Sequence, residues 1–216
     1  MSKKIRLIVG IDEVGRGPLA GPVSVGVFMA DRETGDWILK NIFENKLRDS
    51  KKLSAKRREE IYKKLCELKK EKSSTKLKDS RVYFSVISIS NKVIDKKGIN
   101  FAIKIGIDKS LNTKHKSNDR FKCVFNEIRL DGLLKAPEKY KNQKTIVKGD
   151  EKDVFIACAS IVAKVSRDRL MCRLAKKYPK YHLEIHKGYG TPLHRHLIKK
   201  LGLSPLHRKT FCKKYI

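Results

Sequence analysis

An α/β domain built on a mixed sheet is the fold class this sequence predicts, on three observations. Short apolar runs of strand length stand at 5–12, 23–29, 82–90, 124–131 and 145–148. Helical patterns at 55–68, 96–111 and 154–178 are interleaved with them. Gly15, Gly17, Pro18 and Gly21 break the chain between the first two runs, which predicts a hairpin and so a sheet that is not wholly parallel.

Each element follows from local chemistry. Residues 5–12 carry Ile, Leu, Ile, Val and Ile in one run, the composition of a buried strand. Residues 30–50 are mixed and polar. Ser54 is placed to cap a very basic amphipathic helix over 55–68, with Ile61, Leu65 and Leu68 on one face. Residues 69–81 and 112–122 are lysine-rich and read as loops, as does 135–144 with Pro137. Asp153 is placed to cap a long helix reaching about Tyr178, whose first half, 154–165, is apolar nearly all round and should be deeply buried. The remainder, from Pro179, mixes histidines, glycines and basic residues.

At 216 residues the chain suits one domain, or one with a small appendage. The 52 Lys and Arg against 23 Asp and Glu give a formal charge of +29, which makes polyanions the natural partners, because Lys and Arg that neutralise phosphates release condensed counterions. Charge says nothing of catalysis. The five cysteines, at 66, 123, 158, 172 and 212, form no C-x-x-C pair and read as buried or partly buried free thiols of a reducing compartment. The apolar stretch 7–11 is too short for a signal peptide, and nothing approaches ~18 uninterrupted apolar residues, so no membrane span and a cytoplasmic location are expected.

Chemistry points to the acids. Hydrolysis of a phosphodiester at neutral pH needs an activated water and neutralised charge, which two Mg²⁺ or Mn²⁺ ions ~4 Å apart supply, and such hard cations take carboxylate oxygens. Asp12 and Glu13 close the first run; strand neighbours point to opposite faces, so both serve one site only where the strand stops. Asp131 ends another run before Gly132, and Asp150 follows Gly149. Each acid has a plain alternative: an Asp beside Gly forms turns, and Asp150 or Asp153 can cap a helix. Spacing alone does not bring them together. Ser50, Lys51, Lys164 and Arg167 are candidate phosphate contacts among many solvated cations. His182 and His186 stand at i, i+4 without the H-E-x-x-H pattern, so structural or substrate-loop roles are expected of the histidines.

Seven blocks, spanning residues 10 to about 211, carry a resemblance. They are Gly10-Ile11-Asp12-Glu13-Val14-Gly15-Arg16-Gly17-Pro18-Leu19-Ala20-Gly21-Pro22-Val23, then Asp49-Ser50-Lys51-Lys52-Leu53-Ser54, Leu130-Asp131-Gly132 and Lys148-Gly149-Asp150. The helix block Ala157-Cys158-Ala159-Ser160-Ile161-Val162-Ala163-Lys164-Val165-Ser166-Arg167-Asp168 follows, then His186-Lys187-Gly188-Tyr189-Gly190-Thr191 with His194, and Gly202-Leu203-Ser204-Pro205-Leu206-His207-Arg208. In these blocks the chain resembles bacterial ribonuclease HII, with Cys158 where that family usually has alanine.

The resemblance implies a ribonuclease H-like mixed five-stranded sheet flanked by helices, with a small helical C-terminal part. It implies a catalytic domain over 1–178 and a substrate-binding segment, 179–216, packed on it. It implies four metal-binding catalytic carboxylates, Asp12, Glu13, Asp131 and Asp150, holding two Mn²⁺ or Mg²⁺ ions. Asp168 is the rival for the fourth place, but the resemblance puts that acid in the Lys148-Gly149-Asp150 block, and Asp168 also stands i+4 from Lys164, which a helix-surface ion pair explains. The Gly15-Arg16-Gly17 turn is implied to read the 2′-hydroxyl and Tyr189 to meet the deoxyribose beside the junction. The implied partners are RNA–DNA hybrids and DNA with embedded ribonucleotides, bound by a monomer. A non-catalytic nucleic-acid binder and a plain-DNA nuclease of the same fold are the rival readings.

Overall fold

The computed structural model describes residues 5–70, 82–112 and 123–215. In chain order its principal elements are β1 (Ile5–Val14), β2 (Val23–Ala30), α1 (Arg32–Asn41), α2 (Ala55–Lys70), β3 (Tyr83–Ile89), α3 (Asn91–Lys97), α4 (Ile99–Asn112), β4 (Cys123–Asp131), β5 (Gln143–Ile146), α5 (Val154–Lys177), α6 (Leu183–His186), α7 (Pro192–Leu201) and α8 (Lys209–Cys212). The strands form one sheet in the order β3-β2-β1-β4-β5. The first hairpin and β3 pair antiparallel, while β4 runs parallel to β1 and β5 parallel to β4, so the sheet is mixed.

Strand periodicity sorts the core into two layers. Ile8 and Phe28 face the cluster formed with α1, α2 and α5; Leu7, Val9, Ile11, Val25 and Val27 face α3 and α4. The apolar first half of α5 lies against the centre of the sheet because two glycines let it approach. A side chain at Gly10 would meet the Phe155 carbonyl at 2.1 Å, and one at Gly26 the Ala159 carbonyl at 2.5 Å. Asp153 caps α5 by accepting from the Phe155 and Ile156 amides, and it also holds Arg129 Nη1 at 2.7 Å.

Several local expectations need correction. Residues 30–50 contain helix α1, whose N-cap is Asp31 accepting from the Thr34 amide at 2.8 Å; it turns Ile38, with Trp37 and Leu39 beside it, onto the core, and Gly35 in its middle is a poor helix former that hides it in the sequence. The helix expected over 96–111 is two helices, because Gly98 at φ 84° ends α3 and α4 restarts at Ile99. The last strand lies at Gln143–Ile146, and Lys148 takes a left-handed conformation (φ 55°) that ends strand geometry earlier than expected. Of the lysine-rich segments expected to be loops, Lys69, Lys70 and Asn112 belong to helices, while 71–81 and 113–122 lie outside the described residues. Cys66, Cys158, Cys172 and Cys212 are free thiols, but Cys172 is exposed. Among the described residues no helix is long and apolar enough to cross a membrane.

Candidate active site

The acids gather where β1 outruns its neighbour. The parallel ladder between β1 and β4 ends at the pair Ile11–Leu130, whereas β1 continues beside β2 through Asp12–Gly26, Glu13–Val25 and Val14–Ser24. The expectation that β1 stops after Glu13 is therefore corrected: β1 runs on, and it is the β4 partner that ends. Asp12 and Glu13 consequently project on either side of a strand whose β4 flank is open. Asp131 terminates β4, and its Oδ1 accepts from the Gly149 amide at 2.7 Å, which draws the Lys148-Gly149-Asp150 turn alongside it.

Asp12, Glu13, Asp131 and Asp150 thus line one cavity of about 390 Å³, together with Asp49, Lys51, Lys52, Lys148 and Glu151. A second cavity, of about 540 Å³, shares Glu13 and Asp131 and opens toward Arg16, Asn100 and Lys104. Burial pushes the Asp12 carboxyl well above its ordinary range, and the charges of Glu13 and Asp131 add to the effect while Ser160 opposes it. Glu13 is raised by burial, with the Arg16 guanidinium pulling it back. Asp150 is raised by burial and then by the charges of Asp131 and Asp49, against the Ser50 amide.

This donor set suits hard divalent cations: all four side chains offer carboxylate oxygen, and three hold their negative charge at a cost that a cation would relieve. Among the described residues no three His, Cys, Asp or Glu side chains close into a ready-made ligand group. The four acids line the walls of a cleft rather than meeting at a point.

The turn beside the cleft is built from both ends of the chain. Gly15 has φ +92°, and a side chain there would meet Arg167 Nε at 2.4 Å; Gly17 faces open space. The Arg16 side chain is exposed and donates to Glu13 Oε1 at 3.2 Å and Asn100 Oδ1 at 2.9 Å. The Tyr189 loop docks onto the residues after the turn, with Gly188 O accepting from the Leu19 and Ala20 amides. Tyr189 is half-buried, and its ring centroid lies 5.8 Å from the Arg167 guanidinium.

The four expected phosphate contacts divide. Lys51 is exposed and lines the acidic cleft. Ser50 is buried, and its hydroxyl accepts from Ser160 Oγ at 2.8 Å. Lys164 pairs with Asp168 at 2.7 Å, the helix ion pair that the spacing suggested. Arg167 is 0% exposed and donates to the carbonyls of Pro22, Lys187 and Ala20, so a surface phosphate is out of its reach and the expectation for it is corrected. Sequence reasoning passed over Asp49, a further carboxylate on the cleft wall, and Asn100, the partner of Arg16. Asp49 was visible only as the first residue of a matched block; nothing in the sequence marked Asn100.

Three of the five histidines of the C-terminal segment are packed together, while His182 and His196 are exposed. The rings of His186 and His194 stack at 4.1 Å, and His194 Nε2 stands 3.1 Å from His207 Nε2, all three being buried. His194 Nδ1 lies 2.9 Å from the Tyr189 carbonyl, so this cluster holds the loop that carries Tyr189.

Comparison with known proteins agrees with this geometry. The family model described as Ribonuclease HII matches residues 9–214. A ribonuclease HII of Caldicellulosiruptor bescii is 39% identical, covering 99% of this chain and 90% of that protein. One of Dehalococcoides mccartyi is 42% identical, covering 94% and 85%. The crystal structure of the ribonuclease H2 from Pyrococcus horikoshii superposes with a TM-score of 0.70 at 24% identity, covering 97% of this chain and 96% of that one, which shows the ribonuclease H-like fold. The chain therefore belongs to the ribonuclease HII family of endoribonucleases that act on RNA–DNA hybrids.

Proposed function

We propose that this protein hydrolyses the RNA strand of RNA–DNA hybrids and cuts on the 5′ side of ribonucleotides embedded in duplex DNA, leaving 3′-hydroxyl and 5′-phosphate ends. The observation that carries the reading is the convergence of Asp12, Glu13, Asp131 and Asp150, from three separate segments, on one cleft of a chain with a formal charge of +29. These four carboxylates would hold two divalent ions, Mg²⁺ or Mn²⁺. Such ions, when bound, supply an activated water and neutralise charge on the phosphodiester.

The chain's own groups supply selection and affinity. Exposed Gly17 and Arg16 present backbone to the minor groove, where a 2′-hydroxyl distinguishes ribose from deoxyribose. Tyr189 offers a ring face to the sugar beside the junction. Lys51, on the cleft wall, faces a backbone phosphate, and the wider cationic surface makes binding weaken steeply as salt rises. The same fold without chemistry, a plain binder, would have no use for Asp12, Glu13 and Asp150, whose charges are held at a cost to burial.

The test is incubation of duplex DNA bearing one ribonucleotide with Mg²⁺, with Mn²⁺ and with chelator, with the cut mapped by product length. Cleavage 5′ of the ribonucleotide only when metal is present is the expected result. Cutting that survives chelation, or that proceeds as fast on an all-deoxy duplex, would remove the proposal.

A further inference from the structure

Among the described residues two arginines are wholly buried and neither forms a direct ion pair, although Asp168 acts on Arg167 and Asp95 on Arg208 at longer range. Arg167 and Arg208 are each 0% exposed, and all their hydrogen bonds go to backbone carbonyls. An unpaired buried cation is unfavourable unless every donor finds an acceptor, and here the two like charges also repel each other. The destination of the Arg208 fork is informative: Nη2 donates to Gly15 O at 2.7 Å, Nη1 to Arg16 O at 2.8 Å and Nε to Gly21 O at 3.0 Å.

Those bonds decide which way the turn faces. The described peptide bonds are all trans, so the C=O of one residue and the N–H of the next point in opposite directions. Drawing the Gly15 and Arg16 carbonyls inward onto Arg208 turns the amides of Arg16 and Gly17 outward. Neither amide has a hydrogen-bond partner among the described residues, and both residues are exposed. They form a pair of aimed donors beside the acidic cleft.

We propose that Arg208 is a positioning residue for ribose recognition: from the C-terminal segment it clamps the Gly15-Arg16-Gly17 turn so that the Arg16 and Gly17 amides face the substrate. The inference rests on the reading of that turn given under Proposed function. Arg208 is itself held from two sides. Its amide donates to Leu19 O at 2.7 Å, and Asn91 Nδ2 donates to the carbonyls of Pro205 and His207. Asp95 accepts from the amides of Lys209 and Thr210 immediately after it. Lysine does not replace this fork, since one ammonium cannot span three carbonyls in a plane.

The test compares Arg208→Gln, Arg208→Lys and Asp95→Ala in the full chain with the unmodified protein. Three quantities are read: the affinity ratio between a duplex with one ribonucleotide and its all-deoxy counterpart in chelator, kcat against KM on the ribonucleotide duplex, and the Mn²⁺ concentration giving half-maximal rate. Arg208→Gln should lower the affinity ratio and kcat by roughly tenfold or more each, since misplacement by about 1 Å can cost ~100-fold in rate. Arg208→Lys should fall between, Asp95→Ala should show a smaller loss in the same direction, and the Mn²⁺ requirement should move less than the ribose preference, because of the four acids only Glu13 touches the turn, through Arg16. A folded Arg208→Gln protein with the unmodified ribose preference overturns the proposal. If Arg208→Gln does not fold, Asp95→Ala decides, and an unchanged ratio there overturns it equally. Gly17→Pro, which deletes one of the two amides, separates the two levels. If it keeps the preference, the reading of the turn falls and the Arg208 proposal with it; if it loses the preference while the Arg208 variants keep theirs, only the Arg208 proposal falls.

Discussion

The sheet with α5 and the C-terminal segment with the turn at 15–22 are held together by different physics. The first is apolar: Ile8, Phe28, Phe155, Ile161 and Val162 are packed to near-zero exposure, and Gly10 and Gly26 allow helix and sheet to touch. The second has only small apolar clusters, around Met171 and Ile198, and adds to them the buried Arg208, His186, His194 and His207, with Arg167 reaching in from the far half of α5, all satisfied by carbonyls or by one another. Apolar burial is strong but non-directional, whereas hydrogen bonds from buried cations fix where a backbone group points. The difference matches the tasks: the sheet has to exist so that acids can stand at its end, while the turn has to present two amides in one orientation.

The acids themselves lie outside both schemes, and Asp12→Asn tests this with the largest effect. Activity should fall on the order of 10³-fold or more, the scale of losing several kcal/mol of charge stabilisation in a metal-assisted hydrolysis. Thermal stability without metal should rise, by ~1 kcal/mol, because the burial-raised carboxyl of Asp12 carries its charge unfavourably at neutral pH. A melting temperature lowered to the degree of a core truncation would place Asp12 in the frame, not in the site.

A smaller effect distinguishes two glycines of one turn. Gly15→Ala should cost ~2–4 kcal/mol in denaturant unfolding, since φ +92° disfavours any side chain and the Cβ would strike Arg167, which its hydrogen bonds hold in place. Gly17→Ala, in open space, should stay within ~0.5 kcal/mol. Equal losses would mean that the turn is not anchored from beneath by the two arginines.

The same division explains what could be read from the chain alone. Strands β1 and β2 and the buried half of α5 show in sequence because burying both faces of a strand, or a helix all round, leaves an unbroken apolar run, and β4 shows through the alternation of Ile128 and Leu130. Helix α1 did not, since its apolar residues are the three consecutive Trp37, Ile38 and Leu39, and Gly35 interrupts the turn before them. The acids were visible as residues at the ends of runs, and the blocks they stand in resembled a family. Their meeting was not visible, because it depends on where the β1–β4 ladder stops. Arg167 was read as a phosphate contact and Arg208 only as the end of a matched block, since no one-dimensional pattern distinguishes a guanidinium facing water from one facing three carbonyls.

The mildest perturbation, pH, should pull the two regions in opposite directions. Burial, then the neighbouring His186 charge, lowers His194 to about 4, and burial lowers His186 and His207 as well. A group whose folded pKa lies below its unfolded value of about 6.5 binds its proton more readily in the unfolded chain. The His cluster's contribution is therefore complete above that value and is lost as pH falls from there toward 4, by at most about 3 kcal/mol for His194 alone. Asp12 has the contrary sign: its folded pKa is raised, so its protonated form favours folding at low pH and that support is lost as pH rises. Amide hydrogen exchange of the metal-free protein at pH 7 and pH 5, corrected for the intrinsic rate, resolves the two. Protection over 186–208 should drop at the lower pH while β1 and α5 keep or gain theirs. Acid loosening spread evenly over sheet and C-terminal segment would show that the histidine cluster is not what joins them.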